Sequence, residues 1–166
     1  MFTRRQFAQA GLAATASLST VRKPARADEE KKMTFEITKT DAEWRSALTP
    51  QQYRVLRKHG TETARTSPLD KNYEPGVYHC AACDLPLFSS DAKYDSGTGW
   101  PSFWKPLDNA IGTSIDRSLF FSARTEVHCR RCGGHLGHVF EDGPQPTGLR
   151  YCMNGVAMKF VPKASG

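Results

Sequence analysis

The five cysteines are the residues of this chain best suited to chemistry, and their spacing divides them. Cys80-Ala81-Ala82-Cys83 and Cys129-Arg130-Arg131-Cys132 are CxxC pairs. Cys152, in Leu149-Arg150-Tyr151-Cys152-Met153-Asn154-Gly155, has no partner at that spacing. The pairs are separated by the 45 residues from Asp84 to His128. A CxxC turn brings two sulfurs to one point, so two such turns can clamp a tetrahedral ion from both sides. Four thiolates suit zinc and leave no open coordination position, which makes the metal structural. Two disulfides, or a thioredoxin-like dithiol in either pair, are the competing readings. The doubled CxxC pattern favours zinc, and Cys152 is then the one sulfur left for nucleophilic work.

In an extended strand Arg150, Cys152 and Asn154 share one face, with Tyr151 and Met153 on the other. A guanidinium and an amide beside a sulfur favour its thiolate and can donate to a substrate oxygen. The alternative is a buried, inert cysteine, but Arg150 and Asn154 are poor company for an apolar core. Shortly upstream, Gly133-Gly134-His135-Leu136-Gly137-His138 supplies two imidazoles. They are three residues apart, so a regular strand would point them to opposite faces. Convergence needs a turn or bulge, which Gly137 permits. Taken singly, each histidine reads more readily as structural than as catalytic. A glycine-rich loop, Ser96-Gly97-Thr98-Gly99-Trp100-Pro101, carries a large aromatic.

The elements that must position these groups are short. With 166 residues, 13 glycines, 10 prolines and brief Val, Ile, Phe and Tyr runs, the chain reads as one small β-rich domain. Asp41-Ala42-Glu43-Trp44 suggests a helix capped by Asp41. Thr49-Pro50-Gln51-Gln52 is a stronger start, with Thr49 as cap, Pro50 at the first position and Gln52 closing a capping box. That helix is expected to end near Gly60, with Arg57, Lys58 and His59 in its last turn and Tyr53 and Leu56 facing the core. Thr61 to Pro75 reads as loop. Strands are expected at Val77-Tyr78, Leu87-Phe88, Leu119-Phe121, Thr125-His128 and His138-Phe140. A last strand is expected over Arg150-Phe160, interrupted at Gly155.

The net charge of +6 is concentrated at one end. Residues 1–27 hold Arg4, Arg5, Arg22, Lys23 and Arg26 and no acid; the remainder has a net charge of +1. That removes most of the case for a nucleic-acid partner. Thr3-Arg4-Arg5-Gln6-Phe7, a mild apolar stretch and Ala25-Arg26-Ala27 together read as a twin-arginine signal with an A-x-A cleavage site. The expected destination is the periplasm; an organellar transit peptide is the alternative. The stretch is too short and polar for a stable membrane span. Residues 28–40 read as a flexible linker, and 41–162 as the domain.

Longer motifs carry a family resemblance. Gly97-Thr98-Gly99-Trp100-Pro101-Ser102-Phe103, both CxxC pairs, Gly134-His135-Leu136-Gly137-His138-Val139-Phe140-Glu141-Asp142-Gly143-Pro144 and Thr147-Gly148-Leu149-Arg150-Tyr151-Cys152-Met153-Asn154 resemble methionine sulfoxide reductase B, in the right order. The resemblance implies a mainly β fold, a small β-tent of two antiparallel sheets with short N-terminal helices. It implies a structural zinc ion on Cys80, Cys83, Cys129 and Cys132. It also implies reduction of the R epimer of peptide-bound methionine sulfoxide, which makes the chain a peptide-methionine (R)-S-oxide reductase. Cys152 matches the nucleophile. His135, His138 and Asn154 match the groups around the sulfoxide oxygen, and Trp100 the aromatic wall for the substrate methyl. Arg150 is expected to help bind substrate. Many members carry a resolving cysteine where this chain has Thr98, so an external thiol, such as a thioredoxin-like protein, is the expected reductant. Oxidised proteins or peptides are the expected substrates of a monomeric enzyme. A non-catalytic zinc-stapled binding module and a CxxC oxidoreductase are the other function classes.

Overall fold

The computed structural model describes residues 34–117 and 123–164. The segment expected to be a signal, residues 1–27, and the strand expected over Leu119-Phe121 lie outside the described residues. Two short helices come first, α1 (Asp41–Ala47) and α2 (Pro50–Lys58). Both begin with complete capping boxes, Thr40 with Glu43 and Thr49 with Gln52. The cap of α1 is therefore Thr40 and not Asp41. The Thr40 hydroxyl reaches the Glu43 N–H, while Asp41 accepts from Arg45, Tyr53 and Lys58 and ties the two helices together.

Nine strands follow: β1 (Gly76–Cys80), β2 (Pro86–Ser89), β3 (Lys93–Tyr94), β4 (Ser102–Phe103), β5 (Ile111–Asp116), β6 (Arg124–Cys129), β7 (His135–Phe140), β8 (Arg150–Met153) and β9 (Met158–Pro162). They form two antiparallel sheets, of order β2-β1-β9 and β3-β4-β8-β7-β6-β5. The strand expected over Arg150-Phe160 with an interruption at Gly155 is two strands, and they lie in different sheets. A 3-10 turn, Gly155–Ala157, moves the chain from one sheet to the other. Gly155 fits there because a Cβ would strike the Ser67 side chain.

Aromatic packing joins the sheets. Phe103 of β4 stacks on Phe88 of β2 at 4.4 Å and meets Tyr78 of β1 edge-on at 5.0 Å. All three rings are fully buried, and such pairs add to the apolar burial they already represent. Tyr53, Val55 and Leu56 bury the inner face of α2.

Residues 34–40, expected as the end of a solvated linker, are docked on the second CxxC turn. The Ile37 N–H donates to the Arg131 carbonyl at 3.0 Å, Arg130 pairs with Glu36, and the Phe35 ring lies edge-on to His128 at 5.5 Å. Ile37 and Phe35 give this stretch apolar groups to bury, which its polar composition obscures. No helix of the described residues is long and apolar enough to cross a membrane.

Phe103→Ala leaves a cavity where the two sheets meet. It is expected to cost about 3–5 kcal/mol in a denaturant titration, as for other buried aromatic truncations.

Candidate active site

The two CxxC turns close on each other. Cys80 and Cys129 end β1 and β6, one strand from each sheet. Cys80 Sγ lies 3.8 Å from Cys132 Sγ, and Cys83 Sγ lies 3.5 Å from Cys129 Sγ. All four sulfurs fall within 4.8 Å of one another. Zinc–sulfur bonds of 2.3 Å at tetrahedral angles put sulfurs about 3.8 Å apart. The four residues thus form a site of zinc dimensions, which staples one sheet to the other. The Cys129 turn is also the hairpin between β6 and β7, closed by Cys129 N–H to Gly134 O at 2.9 Å. Arg57 of α2 adds a bond to the Cys132 carbonyl at 2.9 Å.

The hairpin leads to the second cluster. Antiparallel partners place Tyr94 opposite Ser102, Ser102 opposite Cys152, Cys152 opposite His138, His138 opposite Glu126, and Glu126 opposite Ser114. Directly opposed side chains stand on the same face of a sheet. The result is one polar row running across six strands with Cys152 near its middle. β7 and β8 approach so closely at this level that a Cβ on Gly137 would run into the Cys152 carbonyl oxygen.

His135 joins this face through a bulge. Between Val127 and His128 the β6–β7 register slips, with Gly137 to His135 on β7 matching a single step on β6. The bulge brings the two histidine rings to 5.3 Å between centroids, and of the two only His138 lines the cleft beside Cys152. His138 Nε2–H donates to Asp116 Oδ2 at 2.8 Å, and Arg124 donates to the same oxygen at 2.7 Å. Burial holds His138 below the usual imidazole range, against the pull of Asp116. His135 Nδ1–H donates to Glu126 Oε1 at 2.7 Å. Burial pushes Glu126 up, but hydrogen bonds from His135, His59 and Ser114 outweigh it and hold the carboxylate far below its ordinary range.

Cys152 is half-buried, with Thr98 Oγ1 3.8 Å from its sulfur. Burial pushes its thiol up; Thr98, Arg150 and Ser102 only partly offset this. A thiolate poised by neighbouring Arg150 and Asn154 was the sequence expectation. In the fold the desolvation is stronger, so the thiol needs a base.

A cleft of about 120 Å³ opens beside the sulfur, lined by Trp100, His138, Phe140, Cys152 and Asn154 among others. That volume suits one side chain and falls short of a drug-sized pocket. Trp100 is held by its indole N–H to the Glu62 carbonyl at 3.1 Å. Asn154 lies past the end of β8 and binds two segments. Its Oδ1 accepts from the Glu62 N–H at 2.9 Å, and its Nδ2 donates to the Leu136 carbonyl at 3.0 Å. One amide hydrogen is left for the cleft. Arg150 does not line it; the guanidinium is committed to Asp142 by two bonds of 2.8 Å and lies 4.4 Å over Phe140. A larger cleft of about 310 Å³ runs along Gln51, Ser67, Gly155 and Phe160 but contains no thiol.

Sequence reading missed Glu62, Asp116, Glu126 and Phe140. Buried Glu62 accepts the Gly155 and Val156 N–H groups at 2.5 and 3.0 Å, fixing the turn after the nucleophile strand. Glu126 left one signal, an acid between Thr125 and Val127 in a strand.

A four-thiol metal staple, a lone thiol and a carboxylate-backed imidazole define a zinc-type thiol protein built on two antiparallel sheets. The family profile described as the SelR domain matches residues 48–162. The chain is 54% identical over 128 residues to peptide methionine sulfoxide reductase MsrB of Leptospira interrogans, covering 77% of this chain and 98% of that one. It is 55% identical over 126 residues to the MsrB of Agrobacterium fabrum, covering 76% and 93%. It is 48% identical over 143 residues to the chloroplastic peptide methionine sulfoxide reductase B1 of Arabidopsis thaliana, covering 86% and 70%. The chain belongs to the SelR, or methionine sulfoxide reductase B, family.

Removing the metal should loosen both sheets at once. Cys83→Ser, or chelation after mild unfolding, is expected to abolish stoichiometric zinc and lower the melting temperature sharply. Metal analysis and a thermal melt on the same sample check this.

Proposed function

We propose that the chain reduces methionine R-sulfoxide in oxidised proteins or peptides, with Cys152 as nucleophile. The observation that carries this is the register of β8: Cys152 stands directly between Ser102 and a His138 whose far nitrogen is held by Asp116. A carboxylate only accepts, so His138 must carry its proton on Nε2 and present Nδ1 as a base. It takes the Cys152 proton, and Asp116 stabilises the imidazolium that forms, as in other nucleophile–base–carboxylate sets.

The thiolate attacks the electrophilic sulfoxide sulfur. Charge builds on the oxygen, which receives the proton from His138, while His135 and the remaining amide hydrogen of Asn154 supply hydrogen bonds. The hydroxyl transfers to the Cys152 sulfur as the substrate S–O bond and the S–S bond formed by the attack both break. The substrate sulfur gains two electrons and leaves as a thioether; Cys152 loses them and becomes a sulfenic acid. The Trp100 and Phe140 rings provide an apolar wall with favourable sulfur–aromatic contacts for the methyl and sulfur. Cys80, Cys83, Cys129 and Cys132 would hold a zinc ion with no coordination position left for substrate, so its contribution would be to hold the sheets.

Thr98 stands where a resolving cysteine would reach Cys152, and the other four cysteines belong to the metal site. The sulfenic acid is therefore reduced from outside. Two equivalents of an external thiol, or one thioredoxin-like dithiol, regenerate Cys152 and release water and a disulfide. Residues 1–27 are read as a twin-arginine signal that sends the folded, metal-loaded protein to the periplasm, with residues 41–162 as the catalytic domain.

Dithiothreitol-driven assays on R- and S-sulfoxide peptides test the main reading. Wild type is expected to reduce only the R epimer, and Cys152→Ser to lose turnover while keeping its zinc and melting temperature. A sulfenic-acid reagent is expected to label Cys152 after one turnover without dithiothreitol. Undiminished turnover in Cys152→Ser, or a native Cys152–Cys80 disulfide, would overturn it.

For the signal, replacing Arg4 and Arg5 by lysine is expected to retain the protein in the cytoplasm. Fractionation showing equal export of both forms would refute the twin-arginine reading.

A further inference from the structure

His59 and Glu126, which the mechanism so far leaves unused, form a hydrogen-bonded chain with His135. Glu126 Oε1 accepts from Nδ1 of His135 at 2.7 Å and from Nδ1 of His59 at 2.9 Å, while Oε2 accepts from Ser114 at 2.6 Å. The His59 and His135 rings lie 5.1 Å apart. A carboxylate has no proton to give, so both imidazoles carry theirs on Nδ1. For His135 this leaves Nε2, which is buried and has no protein partner.

His59 differs from the other two. Its side chain is 67% exposed, against 2% for His135, so burial does not explain its place. It closes α2 with a φ of 52°, in the left-handed region. Glycine is the usual residue for a left-handed helix cap, and Gly60 stands one position further on. The chain bends at the residue with a side chain and spares the glycine. That bend brings the His59 ring onto Glu126.

Two histidines and a carboxylate also suit a metal, but the spacing does not. Ligands on a tetrahedral zinc with bonds near 2.0 Å sit about 3.3 Å apart. The contacts here, 2.7 and 2.9 Å, are those of shared protons.

We infer that His59 and Glu126 are positioning residues for His135. They fix its tautomer and ring plane so that Nε2 is the atom the sulfoxide oxygen meets. This rests on the reductase reading above. To donate to that oxygen Nε2 must be protonated as well, and Glu126 balances the resulting imidazolium charge. His59 holds the Glu126 carboxylate from the solvent side, so its loss lets the carboxylate turn and the His135 ring rotate.

The test uses full-length, zinc-loaded protein with 15N-labelled histidine. His59→Gly removes the ring and suits the left-handed backbone, so its melting temperature is expected to equal or exceed that of wild type. Its kcat on an R-sulfoxide peptide is expected to fall roughly tenfold, below the 10²–10⁴ that general acid–base catalysis contributes as a whole. KM should stay within about twofold. Glu126→Gln should lower kcat further, and in both variants the ring-nitrogen spectrum of His135 should lose its fixed Nδ1–H form. A kcat unchanged in His59→Gly, or a His135 spectrum identical to wild type, overturns the inference. Should Glu126→Gln misfold, His59→Gly decides alone. An inactive wild type would sink the reductase reading, while the wild-type ring spectrum would still show whether Nδ1 of His135 is fixed.

Discussion

The antiparallel register of β8 is the constraint on which the rest depends. A shift of one residue would turn Cys152 to the opposite face and put Tyr151 or Met153 in its place. The sulfur would then lose Ser102 and His138 together. Several features pin the register. Gly137 lets the two strands close at the level of the sulfur. The buried Asn154 amide joins Glu62 to Leu136 just beyond the strand. Glu62 then holds the two N–H groups of the following turn. The chain thus fixes its nucleophile from behind and below and leaves only the cleft side open.

The metal staple acts on the same constraint from a distance. Six strands of two to six residues are a thin platform for placing a reactive atom. Cys129 and Cys132 close the hairpin whose strands carry Glu126, His135 and His138, while Cys80 and Cys83 tie it to the smaller sheet. A closed four-thiolate site cannot offer a coordination position to substrate. Its contribution is geometric, and it removes four of the five thiols from redox chemistry. That leaves a protein able to form a sulfenic acid with no second thiol of its own to trap it.

What could be read from the sequence was local. The CxxC turns, the Thr49 capping box, the short apolar runs and the lone thiol each rest on a few adjacent residues. What escaped was register and long-range pairing. His138 opposite Cys152, Glu126 behind His135 and Asp116 behind His138 are set by strand pairing, which no local pattern encodes. Strand alternation put Arg150 on the face of Cys152, but Asp142, eight residues away, holds its guanidinium. The interruption expected at Gly155 is a change of sheet, because Glu62, from a distant loop, caps a turn there. The stretch from Phe35 looked solvated because its two apolar residues are scattered among polar ones.

These pairings also explain why a buried thiol is tolerable here. Desolvation alone would leave Cys152 protonated and inert. On the proposed mechanism the remedy is His138, which the same ladder that buries the sulfur places opposite Cys152. Burial then becomes useful. Beside a partly buried sulfur, fixed donors facing a charge that arises on a substrate oxygen are each worth more than they would be in bulk solution. Two imidazoles are backed by two carboxylates, Asp116 for His138 and Glu126 for His135; in the proposed mechanism one ring takes the thiol proton while the other meets the oxygen. Each carboxylate is itself held by a further donor, Arg124 on one side and Ser114 with His59 on the other. Neither ring is then free to exchange tasks with the other.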